Sequence, residues 1–233
     1  GQANFKLSDQ FKLTGGFRYT WDKVSAPTTR GTYRFGPAPL YEVQIPVCPD
    51  TNLPGMCTDT LEQKSSAPTW LIGLDYTPAE NALIYAKYSR GYRSGGVYVY
   101  APIGSRNFEQ EKLDSYEGGF KTSWGGALSG TLNASAFYNK FSDQQLQVGF
   151  SPSSNNGRTN TIGILNIGKS RIYGVEVEGS ISPFEGFSID GSYSYLNTKI
   201  TDIVPAVSAD PAYILSGSTQ AGDRLPFTPK NKF

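Results

Sequence analysis

Apolar and polar residues alternate with a period of two along several segments of the chain. The clearest segment runs from Phe11 to Trp21, where aromatic, aliphatic and glycine residues hold the odd positions and mostly polar residues hold the even ones. Successive side chains of a β-strand point to opposite faces, so this pattern predicts strands with one apolar and one polar face. The alternation recurs at 127–139, 173–181 and 187–195. About nine such strands are predicted in all.

The connections between these strands fall into two length classes that alternate along the chain. Short turns are predicted at 8–10, 78–81, 124–126 and 183–186. Long segments, predicted to be outer loops, occur at about 25–68, 92–110, 151–160 and 201–223. A sheet with short turns at one end and long loops at the other is typical of a transmembrane β-barrel. We therefore expect residues 1–233 to form an all-β, antiparallel, up-and-down transmembrane barrel wall, which is partial because nine strands leave two open edges.

The polar face carries charged residues that a filled protein core does not accommodate without partners. Arg18, Glu117, Glu176 and Glu178 all fall on this face of their segments. In a barrel this face lines the lumen, so we expect these four residues to be lumen-facing charges. Tyr and Trp residues also gather near strand ends, as they do at the boundary between membrane and water.

Composition excludes several classes of function. The net charge is +1, so no general attraction for nucleic acid is expected, and the chain contains no His, the commonest metal ligand and general base. No run of about 18 consecutive apolar residues occurs, which excludes a membrane-spanning helix. The sequence predicts neither a metal site, nor a cofactor, nor a catalytic residue, and the chain is expected not to be an enzyme.

Two segments superficially match catalytic motifs. Gly163–Ser170 satisfies the spacing of a phosphate-binding P-loop, but strand-like alternation follows it where that loop requires a helix. Glu176 and Glu178 lie about 6–7 Å apart along one strand face, a separation that also suits a glycosidase pair. We favour lumen-facing charges paired with Lys or Arg on neighbouring strands, because nothing else in the chain builds a closed cleft.

Cys48 and Cys57 are the only cysteines, and they lie in a proline-rich segment inside the first long connection. A disulfide between them is favoured over two free thiols, and it would place the chain in an oxidising compartment. Another loop carries a second candidate feature, because Arg90, Tyr92 and Arg93 lie where a strand enters the connection at 92–110. These three residues are candidate contacts for an anionic or polyol ligand, while the glycines around them also let the strand bend.

Four stretches resemble TonB-dependent outer-membrane receptors, in the order that this family would show. They are 83–96, 108–121, 166–178 with the following 190–195, and 224–231. The resemblance implies a 22-strand barrel with an N-terminal plug domain in the outer membrane of a bacterium. It also implies active uptake of a scarce ligand, most often a ferric siderophore, powered by the TonB complex.

The chain begins in strand-like alternation, without a signal peptide, and is expected to be a piece of a longer protein. The plug domain, the region that contacts TonB and the last strands are therefore expected to lie outside it. Two other interpretations remain: a passive porin-like outer-membrane barrel, and a secreted β-sandwich that binds carbohydrate. Outer-membrane lipid, the TonB complex and a small ligand are the expected partners of the first.

Overall fold

The computed structural model of the chain consists of β-strands and their connections. The structure describes residues 1–33, 35–37, 43–51, 53–154, 158–203, 208–217 and 220–233. Within these ranges no helix has the length and apolar character needed to cross a membrane. The strands are β1 (Gln2–Lys6), β2 (Phe11–Arg30), β3 (Cys57–Ala79), β4 (Ala82–Arg93), β5 (Gly96–Val97), β6 (Asn107–Phe108), β7 (Glu111–Trp124), β8 (Ser129–Pro152), β9 (Thr161–Phe184), β10 (Phe187–Ile203), β11 (Tyr213–Ser216) and β12 (Asn231–Lys232).

Nine of these strands form one continuous antiparallel sheet in the order β1-β2-β3-β4-β7-β8-β9-β10-β12. Each strand pairs with its neighbour in the chain, except that the small hairpin β5–β6 is set aside from the sheet between β4 and β7. Strand β11 adds to the sheet by pairing with the last residues of β8. The two outermost strands, β1 and β12, do not pair with each other, so the sheet is an open wall. The predicted all-β, antiparallel, up-and-down arrangement is confirmed.

Short and long connections lie at opposite ends of this wall, which we call the turn end and the loop end. At the turn end, two to four residues join successive strands, as at 80–81 and 185–186. At the loop end, the described strands leave connections at 31–56, 94–110, 153–160 and 204–230. The first of these is shorter than the predicted 25–68, since β2 continues to Arg30 and β3 begins at Cys57. The last contains β11, which the sequence pattern did not indicate.

Pairing extends β2 and β3 through Ser- and Pro-rich sequence that has little strand propensity of its own. The pairs run without interruption from Phe11 with Tyr76 to Arg30 with Cys57. Pro68 lies beyond the last pair between β3 and β4, where β3 has a free edge on that side. A proline is tolerated at an edge because its missing N–H is not needed there. The pairing partner, which local sequence does not reveal, therefore sets these strand ends.

The apolar face of the wall is open to its surroundings rather than packed. Large side chains on this face are substantially exposed; they include Phe11, Phe17, Tyr19, Trp21, Ile72, Leu74, Ile84, Tyr116, Phe120, Tyr138, Val175 and Ile189. No second sheet covers this face among the residues described, so the β-sandwich interpretation is wrong. Soluble domains rarely leave so large an apolar surface exposed. A surface of this kind suits contact with lipid chains.

The best-buried residues lie at the loop end instead. The described apolar residues with the lowest exposure are Cys48, Cys57, Ala67, Ala101, Phe150 and Ile200. Phe150 is completely buried, and both its ring and Ala101 approach Gly163. The connections therefore pack on one another and on the strand ends, and we call the described residues of the four long connections the loop layer.

A row of tyrosines crosses the apolar face on the loop side. Tyr88, Tyr116, Tyr138 and Tyr173 are paired in turn across β4, β7, β8 and β9. The rings of Tyr88 and Tyr116 are stacked with their centroids 4.8 Å apart. Tyrosine prefers the boundary between hydrocarbon and water, because its ring is apolar and its hydroxyl is polar. This tyrosine row marks the expected boundary of the apolar band on the side of the loop end.

Candidate ligand-facing surface and loop layer

The alternation of the strands brings the predicted lumen-facing charges to one polar face. Glu117 lies at the centre of a network there, since Lys87 Nζ is 2.8 Å from its carboxylate and Tyr85 donates a hydrogen bond of 2.9 Å to it. Tyr85 also lines a concavity that contains Glu176 and Glu178. The polar face is thus a hydroxyl-rich, charged surface rather than a core.

The sequence predicts that Glu176 and Glu178 pair with Lys or Arg on neighbouring strands, and the structure does not show this pairing. Glu176 lies between Ser135 and Ser194, and both glutamates are exposed. Neither makes an ion pair or a hydrogen bond to another described residue. Lys121 and Lys232 line the same concavity without forming an ion pair with either glutamate, so both carboxylates are unpaired on the polar face.

Phe137 is the residue that breaks the polar pattern of its face, and the structure accounts for it. Phe137 is paired with Gly174 across β8 and β9. A Cβ added at Gly174 would lie 2.9 Å from the Phe137 ring and 2.3 Å from the Tyr195 carbonyl oxygen. The ring therefore covers the glycine, an arrangement that protects the backbone where no side chain is present.

The three candidate loop-entrance residues separate in the structure. Arg90 points to the apolar face, where its guanidinium makes two hydrogen bonds of 2.5 and 2.6 Å to Asp114 and lies 4.8 Å over the Trp70 ring. The side chain of Arg93 is 67% exposed, and its guanidinium nitrogen lies 3.7 Å from the carboxylate of Glu111. The hydroxyl of Tyr92 reaches across β3 and donates a hydrogen bond to Asp22. Arg90 is thus held in the wall, whereas Tyr92 and Arg93 remain at the entrance.

Tyr92 joins Arg18 at a concavity on the polar face, directly beneath the loop layer. Arg18, Asp22 and Tyr92 line it together with the hydroxyl side chains Thr20, Thr69, Ser89 and Ser94. Asp22 accepts the hydrogen bond from Tyr92, and Arg18 is exposed and makes no ion pair among the described residues. A guanidinium that is not ion-paired, beside several hydroxyl groups, is suited to bind an oxygen-rich ligand. We call this group the entrance site.

Asp50 connects three segments of the loop layer. Its carboxylate accepts hydrogen bonds from Arg30 at 2.8 and 3.1 Å and from Arg106, and its carbonyl oxygen accepts one from Arg158 at 3.4 Å. Partial burial raises the pKa of Asp50, but the hydrogen bonds from both guanidinium groups outweigh that effect and hold the pKa below its ordinary value. The carboxylate therefore stays charged and keeps the loops tied together.

A disulfide closes the loop segment that carries Asp50. The structure joins Cys48 and Cys57, whose Cα atoms are 4.9 Å apart. Cys57 is the first residue of β3 and is paired with Arg30 at the end of β2. The disulfide thus fixes residue 50 to the top of the wall, where Arg30 and Arg106 reach it.

Comparisons with known proteins agree with this geometry. The family model described as TonB dependent receptor-like, beta-barrel, matches residues 1–233. The chain belongs to the TonB-dependent receptor family. No curated protein matches it. Members of this family are barrels of the bacterial outer membrane, and the exposed apolar face of this receptor wall is what such a setting requires.

Solved structures share the fold of this receptor segment. The ferric yersiniabactin uptake receptor FyuA from Yersinia pestis is 20% identical, with a TM-score of 0.68, over 99% of this chain and 29% of that one. The siderophore receptor PiuA from Acinetobacter baumannii is 19% identical, with a TM-score of 0.62, over 98% and 28%. The ferric-catecholate import receptor Fiu from E. coli K12 is 18% identical, with a TM-score of 0.58, over 98% and 29%. The chain spans less than a third of each of these receptors.

Two important residues of the receptor wall were not identified from the sequence. Asp50 has no motif around it apart from the nearby cysteines. Asn166 spans three segments: its Nδ2 donates 2.8 Å hydrogen bonds to the carbonyl oxygens of Glu109 and Asp143, and its Oδ1 accepts one of 2.6 Å from the Glu109 N–H. In the sequence, Asn166 stood out only because it lies in one of the four stretches that resemble TonB-dependent receptors.

The P-loop interpretation of Gly163–Ser170 is wrong, because the whole segment lies within β9. A phosphate-binding loop needs free backbone N–H groups at a helix start, and these residues are paired with β8. Glu176 and Glu178 lie on the same open wall, so a closed glycosidase cleft has no support from the described part of this chain.

Proposed function

We propose that the protein containing this chain is an outer-membrane receptor that imports a ferric siderophore with energy supplied through the TonB complex. The family assignment supports a receptor rather than a passive porin. Three of the structurally similar proteins are described as receptors for siderophores or ferric chelates. A heme-bound hemophore receptor and a copper transporter share the fold too, so fold alone does not select the ligand.

The entrance site is the observation that carries the choice of ligand. Arg18 supplies an exposed positive charge, and Tyr92 and the surrounding hydroxyl groups supply hydrogen bonds. Ferric siderophores present carboxylate, catecholate or hydroxamate oxygens around the metal, and charge-assisted hydrogen bonds are the strongest means of binding such groups. In this proposal Tyr92 and Arg93 contact the ligand first, and Arg18 lies below them on the path to the lumen. Arg90 supports the wall beside them.

The lumen-facing charges have a second part in this proposal. Glu176 and Glu178 lack partners within the described residues, and Glu117 carries its own network. In the complete receptor these glutamates would face a plug domain with basic groups. The plug would then cover these glutamates, which are exposed on the wall by itself. Conformational release of the plug through TonB would open the path.

The proposal is tested with cells that make the full-length receptor. Each of a panel of siderophores is loaded with iron-55, and the uptake of the label into the cells is measured. We expect uptake of at least one of them to stop when the energy-transducing complex is deleted, whereas flow through a passive pore would continue. The Arg18→Gln variant should lower its affinity about tenfold or more, since a charged hydrogen bond contributes about 1.5–3 kcal/mol.

Lys12→Gln is the matched control, because Lys12 shares the polar face but lies near the turn end and pairs with Asp75 at 2.7 Å. Equal amounts of each variant in the outer membrane must be verified first. Normal uptake in the Arg18→Gln variant would remove the entrance site from the proposal. Failure of every siderophore, with uptake of heme or copper instead, would overturn the ligand class.

A further inference from the structure

Three basic residues lie directly opposite one another on neighbouring strands of the apolar face. Lys140 of β8 is paired with Arg171 of β9, and Arg171 is paired with Lys199 of β10. Directly opposite residues in an antiparallel sheet have Cβ atoms about 4.5–5.5 Å apart, and like charges at that separation are destabilising. We call these three residues the basic row. Its arrangement is unfavourable for the sheet alone.

Acidic side chains near the basic row are already engaged. Asp114 is opposite Lys140, but both of its oxygens bind Arg90, and Tyr88 donates a further hydrogen bond to it at 2.8 Å. Closer to the loop end, the carboxylate of Asp202 lies 3.4 Å from Lys169. Neither acid therefore forms an ion pair with the basic row, and Asp114, which is shared with Arg90, offsets its charge only in part.

The three cations themselves lack acidic partners. None of them makes an ion pair with another described residue. The Nε atom of Arg171 is buried without a hydrogen-bond partner, although its guanidinium lies 5.8 Å over the Tyr173 ring. Lys140 and Lys199 are exposed. The basic row thus offers donors and positive charge to something outside the chain.

Other opposed lysines of the sheet have an acid beside them, and at the Lys23–Lys64 pair across β2 and β3 that acid is Glu62, 2.8 Å from Lys23. Lys6 and Lys12 also face each other across β1 and β2. Each has its own acid, however, with Lys6 at 2.9 Å from Asp9 and Lys12 at 2.7 Å from Asp75. The basic row lacks such compensation although it lies on the face where charge is least expected.

The position of the basic row identifies the depth of its partner. Lys140 follows Tyr138 by two residues, and Arg171 precedes Tyr173 by two, so both lie immediately loopward of the tyrosine row. Lys199 is opposite Arg171 on the next strand. Tyrosine marks the boundary of the hydrocarbon, so the next positions lie at the level of the lipid headgroups. Anionic headgroups attract basic residues at this level.

We propose that the basic row binds the phosphate of a phosphorylated lipid headgroup in the leaflet at the loop end. This inference rests on the membrane placement in the proposed function. Arg171 lies between Lys140 and Lys199 on neighbouring strands, and one phosphate monoester, with a charge of about −1.5 to −2 at pH 7, offsets most of their three positive charges. Arginine provides the directional contact and the lysines provide flexible point charges. The partner is a lipid rather than a free anion because the tyrosine row brings the site into contact with the bilayer.

The test is a lipid titration of the detergent-solubilised full-length protein, followed by native mass spectrometry. The probe is diphosphorylated lipid A, compared with the same lipid after phosphatase treatment. The triple variant Lys140→Gln, Arg171→Gln, Lys199→Gln should bind the phosphorylated probe roughly a hundredfold more weakly, given about 1 kcal/mol per basic residue near an anionic surface. Removal of phosphate should abolish the difference between variant and wild type.

The matched control is Lys6→Gln, Lys12→Gln, Lys121→Gln, which removes the same charge from a concavity on the polar face near the turn end. It should bind the probe like the wild type. Where the triple variant fails to fold, the single exposed substitution Lys199→Gln should still weaken binding about fivefold. Heat-modifiable mobility in gel electrophoresis verifies that each barrel is folded.

Unchanged binding by the folded triple variant would overturn the inference, and so would displacement of the lipid by an equal concentration of inorganic phosphate. Iron uptake separates this outcome from failure of the proposed function. A variant that imports ferric siderophore normally but binds lipid like the wild type contradicts only the inference. Absence of the full-length protein from the membrane fraction would contradict both.

Discussion

Asp50 and Arg106 are 56 residues apart in the sequence and form an ion pair in the loop layer. Asp50 lies in the disulfide-closed part of the first connection, and Arg106 lies just before β6 in the second. Arg30 binds the same carboxylate from the end of β2. The side chains of Arg30 and Arg106 are 9% and 8% exposed, so their charges need an acid close by. Asp50 serves both, and Asp59 lies 3.7 Å from Arg106 as a second acid. The Asp50 carboxylate therefore joins these two connections over the entrance site.

Asp50→Asn should loosen the loop layer without unfolding the wall. The amide cannot neutralise two buried guanidinium groups, and loss of one partner of a buried ion pair costs about 3–5 kcal/mol when burial is complete. Since Asp50 is 17% exposed, we expect a loss of about 2 kcal/mol, seen as faster hydrogen exchange in 44–58 and 98–107. Asp9→Asn is the control, because Asp9 is 98% exposed. Unchanged exchange in Asp50→Asn would contradict the cross-link.

The same cross-link should depend on pH in one direction. The pKa of Asp50 is lowered from its ordinary 3.8 in the folded chain. Its contribution to stability is therefore complete above about pH 3.8 and is lost as the pH falls through the lower, folded-state value. We expect pepsin to cleave 43–57 slowly at pH 4.5 and rapidly near pH 2. A loop that became equally susceptible already between pH 5 and 4.5 would show that Asp50 is not the titrating group.

The Cys48–Cys57 disulfide should stabilise the loop layer because it restricts the conformations of the unfolded chain. Closing a loop with a sequence separation of 9 contributes about 2–3 kcal/mol by the chain-entropy estimate. Mass spectrometry of non-reduced peptides should find the two residues linked, and two free thiols would refute the pairing. Cys48→Ser with Cys57→Ser should increase exchange in 43–56 while leaving β8 and β9 protected.

The two faces of the wall should respond differently to the same substitution. Ala136 lies on the apolar face and its neighbour Ser135 lies on the polar face, opposite Glu176. Ala136→Arg should destabilise the inserted barrel by about 2–4 kcal/mol, because a lipid-facing cation is costly near the bilayer centre. Ser135→Arg should be nearly neutral. Urea titrations of the full-length protein in lipid vesicles measure both, and equal effects would mean that neither face contacts lipid.

Gly174 should tolerate no larger side chain. A methyl group there would meet both the Tyr195 carbonyl oxygen and the Phe137 ring, and overpacking of this kind costs about 1–3 kcal/mol. Gly191→Ala is the control, since a Cβ at Gly191 has no atom within 4 Å. Gly174→Ala should lower the midpoint of the same urea titration, and an unchanged midpoint would show that the Phe137 ring can move aside.

The local sequence pattern was sufficient to predict the strands of the wall, because each strand has its own alternation of apolar and polar residues. The alternation in β2 and β8 identified which residues share a face, and the short connections identified the turn end. Arg18, Glu117, Glu176 and Glu178 could be assigned to the polar face for that reason alone. Side-chain direction in a strand depends on residue parity, which the sequence states directly.

The sequence by itself thus determined an antiparallel wall with an apolar and a polar face, together with its family. Only the tertiary structure decided that β2 and β3 continue through Ser- and Pro-rich sequence, that Asp50 joins Arg30 and Arg106, and that Lys140, Arg171 and Lys199 are opposed. Each of these depends on the register between segments far apart in the chain. A shift of one residue would turn every side chain to the other face, and no local pattern specifies that register.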